Sequence, residues 1–314
     1  MKIVFFGTPE TSLSFLDALY KDEEVGAVVT RPDQPKGRGL ALQKSPVKIL
    51  AESLNIPVFQ PTDLKHVSFL SSLEAVSAEV GIVVAYGRLL PPELLKIFTR
   101  GIYNVHFSLL PRWRGASPMQ WTILSGDAVT GVTTFKISPT LDTGEIAVQK
   151  ETGVDEFESA LSLEKKLIPL GLAALKETLA LVKAGRLKGL TQKESPTPYA
   201  RLLKKEDGKI NWEKSALEID RQIRAFIRLG TYTLLPNGKK LKILRAKMVS
   251  DPTNSPQSPG SVLGIEQELG FVIKCGMGSL LVLEVQPEAK NKMSAWSFLQ
   301  GHKLQIGEIL KNKE

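Results

Sequence analysis

Apolar positions over the first 150 residues fall into short, near-continuous runs separated by segments of helical spacing. The runs predict strands over Lys2–Phe6, Val25–Thr30, Pro57–Gln60, Val80–Ala85 and Gly101–His106. The intervening spacing predicts helices over Thr8–Tyr20, Val47–Leu54, Val67–Val76 and Pro91–Phe98. Strands that are apolar on both faces and alternate with helices imply an α/β unit with a mostly parallel sheet covered on both sides. Two further strands, Gly131–Ile137 and Ile146–Lys150, flank a Gly-containing turn, and a long helix over Ser159–Ala184 ends near Gly185.

The pattern changes after that helix. Residues 186–209 are rich in Gly, Pro and charge, which predicts a linker. Beyond it come a helix over Ser215–Phe226 and short strands over Tyr232–Leu235, Leu241–Val249, Gly260–Glu266, Gly270–Lys274 and Ser279–Gln286. Asn237-Gly238 supplies a hairpin signal between the first two of these strands. Short strands around a small apolar core predict a compact β-barrel. Domains are therefore expected at residues 1–188 and 210–314, joined by 189–209.

Composition narrows the class. The 314 residues suffice for two domains, and 42% hydrophobic with 24% charged residues is ordinary for a soluble globular protein. No apolar run approaches the roughly 20 residues of a membrane span, so no membrane partner is expected. The apolar start, Ile3–Phe6, is too short for a signal-peptide core and reads as a first strand. Cys275 is the single cysteine, which excludes an intrachain disulfide and fits a cytoplasmic location. His66, His106 and His302 are scattered and predict no metal site. A monomer is the expected state.

The net charge is +8, and its distribution matters more than its size. Residues 1–190 carry 21 basic and 20 acidic side chains, whereas residues 191–314 carry 20 and 13. A basic half beside a near-neutral one suits a polyanion such as nucleic acid; the alternative is a merely basic, solvated surface.

The candidate chemistry sits at strand ends. Asn104 and His106 are two apart at the close of a strand, so their side chains share a side. Asp142 lies on the later Gly-containing turn. An Asn amide and a protonated imidazole can donate to a developing oxyanion, and a carboxylate can orient and charge the His. The bland readings are a structural His and a turn Asp. Gly7-Thr8-Pro9 offers either amides for an anion or a plain strand-to-helix turn with Thr8 capping. Val84-Ala85-Tyr86-Gly87 ends a buried strand, where ligands of open α/β sheets bind. Residues 31–46 form a long basic loop with Arg31, Lys36, Arg38 and Lys44 against Asp33, able to clamp an anion or simply solvated. Arg112-Trp113-Arg114 can neutralise phosphate and stack a base, or form exposed charge around a packed Trp.

Several segments in order carry a resemblance: Gly7-Thr8-Pro9, Pro32-Asp33-Gln34-Pro35-Lys36-Gly37-Arg38-Gly39, Ser45-Pro46-Val47-Lys48, Val84-Ala85-Tyr86-Gly87, Asn104-Val105-His106, Leu109-Leu110-Pro111-Arg112-Trp113-Arg114-Gly115-Ala116, Leu141-Asp142-Thr143-Gly144 and Ile223-Arg224-Ala225-Phe226. Together they resemble the folate-dependent formyltransferases across nearly the whole chain, and within them the branch acting on methionyl-tRNA. The resemblance implies a Rossmann-like catalytic domain and a C-terminal OB-like barrel. It implies transfer of formyl from 10-formyltetrahydrofolate to the α-amino group of methionine on initiator methionyl-tRNA, for translation initiation. It places the catalytic three on Asn104, His106 and Asp142. The folate site falls on Val84, Ala85, Tyr86 and Gly87, on Ser108, Leu109, Leu110 and Pro111, and on Leu141, Thr143 and Gly144. Contacts to tRNA are implied for Lys36 and Arg38, with Arg112 and Arg114 beside them. Two departures stand out. Phe107 occupies a position where many relatives have Gly, and Ile227-Arg228-Leu229-Gly230 replaces a Pro- and Trp-rich stretch.

Alternatives are a formyltransferase acting on an amino-sugar nucleotide, a nucleotide-binding oxidoreductase and a non-catalytic tRNA-binding protein. The basic second half argues against the first. The second is disfavoured because Gly7-Thr8-Pro9 is not a Gly-x-Gly-x-x-Gly turn and Val28-Val29-Thr30 ends without an acidic residue.

Overall fold

The computed structural model describes residues 1–36, 41–193, 197–250, 257–302 and 304–311. The chain forms two compact units. The first comprises Met1–Pro118, Val129–Gly153 and Glu164–Arg201. The second comprises Met119–Ala128, Val154–Leu163 and Leu202–Glu314.

The first unit is built on a seven-stranded sheet. Its strands are β1 (Lys2–Gly7), β2 (Glu24–Val29), β3 (Val58–Phe59), β4 (Val80–Val84), β5 (Ile102–His106), β6 (Val129–Lys136) and β7 (Ile146–Gly153). Their spatial order is β7-β6-β5-β4-β1-β2-β3. The five strands from β5 to β3 run parallel to their neighbours. Strands β6 and β7 are antiparallel additions on the β5 side. The central strands are apolar throughout because both faces are covered: Ile3, Val4, Phe5 and Phe6 of β1 are all fully buried.

Helices α1 (Leu13–Asp22), α2 (Pro46–Ser53), α3 (Val67–Ala75), α4 (Pro92–Leu95), α5 (Pro118–Ser125) and α6 (Ala160–Lys183) follow in chain order. The start of α2 is set by Ser45, whose Oγ accepts from the Lys48 amide at 3.1 Å, with Pro46 at the first helical position. On one face of the sheet, Val4, Phe6 and Val29 pack with Phe69 and Leu73 of α3 and with Leu94 of α4. Helix α4 is a single turn where the spacing predicts a helix over Pro91–Phe98; its backbone ends once Leu94 is buried.

In the second unit, α7 (Ala216–Ala225) opens on a reciprocal cap. The Ser215 Oγ accepts from the Glu218 amide at 3.2 Å, and Glu218 accepts from the Ser215 amide at 3.0 Å. The Ser215 hydroxyl, which donates to the Glu218 carboxylate at 2.7 Å, and then the Ser215 amide hold that carboxyl below its ordinary range. Strands β8 (Thr231–Leu234), β9 (Lys240–Val249), β10 (Val262–Glu266), β11 (Gly270–Lys274) and β12 (Ser279–Pro287) form an antiparallel sheet in the order β8-β9-β12-β11-β10. Helix α8 (Ala295–Gly301) covers it with Phe298. Burial pushes the Cys275 thiol in this core up to about 12, so it is chemically quiet.

Such a sheet leaves β8 and β10 as edges, and the last described segment closes both. Ile309 bridges Ser261 just before β10, and Lys311 bridges Leu234 of β8. The Leu310 amide donates to the Gly260 carbonyl and the Lys311 amide to the Leu234 carbonyl, each at 2.9 Å. The segment thereby spans the two edge strands at their ends, bringing the sheet round towards a barrel. Between those two bonds Leu310 is buried in a core that includes Trp212, Phe271 and Phe298. Leu310→Ala is therefore expected to destabilise the second unit by about 2–5 kcal/mol, read by denaturant unfolding followed by tryptophan fluorescence. A loss below about 0.5 kcal/mol, the scale of an ordinary surface change, would show that the closing segment is not part of the core.

Candidate active site

Strand β5 delivers two of the candidate residues. Asn104 lies between Val83 of β4 and Phe135 of β6, and His106 pairs with Thr133 of β6. His106 is 5% exposed. The Asn104 side chain is half-buried and, among the described residues, makes no hydrogen bond, so its amide is free to donate. The chain leaves β6 at Lys136 and returns at Ile146. The turn between them brings the Asp142 Oδ2 to 3.8 Å from the His106 Nδ1. Asn104 and His106 thus share a side of β5, and Asp142 comes near His106 from the turn after β6.

The His106 ring is oriented from its other nitrogen. Nε2 lies 2.9 Å from the Trp113 carbonyl. A carbonyl only accepts, so Nε2 carries the proton there and Nδ1 is the nitrogen turned towards Asp142. The distance of 3.8 Å is that of an ion pair and is too long for a hydrogen bond. Asp142 is anchored separately: its Oδ2 accepts from the Gly115 amide at 2.8 Å. Asp142, at φ 52°, and Trp113, at φ 61°, both occupy the left-handed region. Two glycines let these turns meet. A Cβ on Gly115, at φ 124°, would lie 2.4 Å from the Ala200 carbonyl oxygen, and one on Gly144 would lie 1.7 Å from that of Lys136.

Residues Ser108, Leu109, Leu110 and Pro111 form the turn that follows β5. Ser108 and Leu110 are buried. The Ser108 Oγ donates to the Arg112 carbonyl at 2.6 Å, and the Leu110 amide donates to the Thr133 Oγ1 at 3.0 Å. Thr133 in turn donates to the Ser108 carbonyl at 2.7 Å, and Gln149 donates to the Leu110 carbonyl at 2.8 Å. Leu109 and Pro111 stay half-exposed. Phe107 does not adopt a positive φ. Its ring packs edge-on against Phe15 of α1, with centroids 6.2 Å apart, so the bulk that replaces Gly points into the core.

Strand β4 runs out into Val84–Gly87. Ala85 at φ 49° and Gly87 at φ 78° are both left-handed and exposed. The segment is stapled to the first strand-to-helix turn: the Thr8 hydroxyl donates to the Tyr86 carbonyl at 3.2 Å and the Ser12 hydroxyl to the Val84 carbonyl at 2.7 Å. Thr8 thus holds this ledge and caps no helix; Pro9 is the N-cap residue there. Burial pushes the Tyr86 hydroxyl up from its ordinary range, while Arg88 and Arg31 pull it the other way. Ala85 and Gly87 are exposed where strand β4 ends, at the carboxyl end of the parallel sheet. Leu141 is exposed at the rim of the Asp142 turn, and Thr143 donates to the Thr140 carbonyl at 3.1 Å.

Among the basic candidates, the Lys36 side chain and all of Arg38 lie outside the described residues. The Arg112 guanidinium stacks 4.6 Å over the Trp113 ring. Arg114 donates through Nε and Nη2 to the Gln192 Oε1, at 3.0 and 2.8 Å. Gln192, Thr133 and Gln149 were not marked by sequence reasoning. Gln192 sits in a polar stretch with a linker's composition, and Thr133 and Gln149 read as routine strand residues. Among the described residues, no group of three His, Cys, Asp or Glu side chains is arranged to hold a metal.

Residues 1–179 match the family described as Formyl transferase, and residues 202–303 match Formyl transferase, C-terminal domain. A methionyl-tRNA formyltransferase of Geotalea daltonii is 41% identical over 316 residues, spanning 100% of this chain and 99% of its own length. One from Myxococcus xanthus is 43% identical over 307 residues, spanning 98% and 96%. Among solved structures, HypX from Aquifex aeolicus in complex with tetrahydrofolic acid matches with a TM-score of 0.66 at 18% identity, over 95% of this chain and 47% of that one. WlaRD, a sugar 3N-formyl transferase solved with dTDP and 5-N-formyl-THF, matches with a TM-score of 0.64 at 22% identity, over 93% and 99%. These two likenesses show a shared fold. With both halves of the sequence matched and full-length relatives above 40% identity, the chain belongs to the formyl transferase family.

Proposed function

We propose that this protein transfers the formyl group of 10-formyltetrahydrofolate to the α-amino group of methionine on initiator methionyl-tRNA. The observation that carries the reading is the buried His106 turned towards Asp142, beside the free amide of Asn104. The folate supplies the formyl group. Its pterin would be held by the backbone of Val84, Ala85, Tyr86 and Gly87 and of Leu141, Thr143 and Gly144, with Leu109 and Pro111 at the rim.

Asn104 and His106 act on charge that develops on the formyl oxygen as the methionyl amine adds to the formyl carbon. Both donate to that oxygen, His106 through Nδ1 because Trp113 occupies Nε2. The Asp142 carboxylate faces the His106 ring and accepts the proton lost by the amine, through water; as the tetrahedral adduct collapses, the bond from the formyl carbon to the folate nitrogen breaks and that nitrogen takes up a proton from water. Preorganisation is the source of the rate. The Gly115 amide fixes Asp142 and the Trp113 carbonyl fixes His106, so neither has to reorganise when the charge appears.

The tRNA is met by Lys36, Arg38 and Arg112 in the first unit and by the basic second unit. There, a groove of about 520 Å³ is lined in part by the cations Arg228, Lys242 and Lys292, which suits a polyanion. Among the described residues no helix is long and apolar enough to cross a membrane. The reading carries with it a cytoplasmic location and a monomer as the working form.

Formylation of charged initiator tRNA, with the folate donor and the purified protein, tests the whole reading; transfer to an amino-sugar nucleotide in its place would overturn it. His106→Ala is expected to lower turnover about 100- to 1,000-fold with folate binding retained; a variant keeping a tenth of wild-type turnover would contradict the donor role. Asp142→Asn keeps the shape of the turn and removes the charge, so turnover should fall while the melting temperature holds. Equal turnover in the two proteins would remove Asp142 from the chemistry. The affinity for tRNA should fall steeply as salt rises, in proportion to the phosphates neutralised. A flat response would show that the basic surface is not the binding term.

A further inference from the structure

Gln192 lies in the polar stretch after α6, is 7% exposed, and has every hydrogen-bonding position of its amide in use. Its Nε2 donates to two carbonyls of one turn, Asp142 at 2.9 Å and Gly144 at 2.8 Å. Its Oε1 accepts twice from Arg114. The amide can sit only this way round, because a guanidinium only donates and a carbonyl only accepts. One side chain therefore links the turn that carries Asp142 to the residue preceding Gly115, whose amide binds the Asp142 carboxylate.

The backbone around Gln192 explains how it gets there. Leu190 exchanges two hydrogen bonds of 2.9 Å with Ile146, the first residue of β7. Further on, the Trp113 amide donates to the Pro198 carbonyl and the Ser117 amide to the Ala200 carbonyl, each at 3.2 Å. Tyr199–Ala200 pairs in parallel with Arg114–Gly115. Residues 192 and 198–200 thus bond to the two turns that carry Asp142 and Gly115. Asp142 holds a left-handed backbone, which Asp visits more readily than most residues, so its own conformation does not fix the turn and the constraint has to come from outside. Gln192 supplies that constraint from the turn's own carbonyls.

We propose that Gln192 is a positioning residue for formyl transfer, holding the Asp142 turn at its working distance from His106. The inference rests on the proposed role of Asp142, and it assigns the donated bonds, not the accepted ones, as those that matter to the reaction. A shift of about an ångström in a reacting geometry costs on the order of 100-fold.

The test is steady-state formylation by the full-length protein carrying Gln192→Met, Gln192→Glu and each of these combined with Asp142→Asn. Gln192→Met should lower kcat about 10- to 100-fold while the KM for tRNA and for the folate change far less. Gln192→Glu is nearly isosteric, keeps the acceptor for Arg114 and loses both donations. It should be as impaired as Gln192→Met. A merely structural role through Arg114 predicts the opposite, a Gln192→Glu enzyme of wild-type kcat, and that result would overturn the inference. If Gln192 acts through Asp142, either substitution should add less than about twofold to the loss already caused by Asp142→Asn, because residues in one network are not additive. Multiplied losses would equally overturn it. Full activity of Asp142→Asn alone would instead sink the role of Asp142 on which the inference rests, and absence of formylation by the wild type would sink the proposed function itself.

Discussion

A single buried amide-to-carboxylate hydrogen bond, Gly115 to Asp142 at 2.8 Å, joins two turns that lie 27 positions apart in the chain. One turn follows β5 and places the carbonyl that orients His106; the other follows β6 and places the carboxylate. The second turn has no regular secondary structure to define it, and the first has only the two-residue pairing of Arg114–Gly115 with Tyr199–Ala200. A hydrogen bond to a charged group out of water contributes roughly 1.5–3 kcal/mol, and here it also sets distances. The sheet brings His106 to within reach, but this bond decides which oxygen of Asp142 faces the ring. The glycines at 115 and 144 are the geometric condition for it, since a Cβ on either would collide with a carbonyl oxygen of a neighbouring segment.

Around that bond the first unit is arranged as concentric support. Thr133 on β6 saturates its hydroxyl on the Ser108 and Leu110 backbone, Gln149 on β7 braces the same turn, and Phe107 packs back against α1. Antiparallel β6 and β7 are thus more than an extension of the sheet, because their side chains hold the turn leaving β5. The second unit solves a separate problem, closing a small sheet with few strands. It does so with a terminal segment whose Leu310 enters the core as its backbone pairs with both edges.

The strands of the sheet were legible because burial on both faces leaves near-continuous apolar runs such as Ile3–Phe6. Their order was not legible: nothing local says that β1 lies between β4 and β2. Helix α5, with Trp121 and Ile123 amid mixed neighbours, has no amphipathic stripe and so carries no helical signal in the sequence. Helix α8 is too short to show a period and is fixed by its Ser294 cap. The alternation of Asn104 and His106 on one strand, and the Asp on a Gly-containing turn, were readable as candidates. The partners that set their geometry are backbone groups, Trp113 carbonyl and Gly115 amide, which carry no residue signature. Gln192 was hidden for a related reason. Its neighbours have the composition of a linker, and only carbonyls about 50 positions earlier give its amide a purpose.

The left-handed backbone at position 142 has a consequence for which residues suit it. Only Gly, Asn and Asp adopt that conformation at low cost. Of the three, only Asp brings an oxygen pair that is both anionic and short enough to receive the Gly115 amide. Glu, the other carboxylate, can hold such a backbone at a cost, as Glu268 does at φ 61°, but its extra methylene carries the carboxylate past the Gly115 amide. Position 142 therefore favours Asp twice over, once through the backbone it tolerates and once through the reach of its carboxylate.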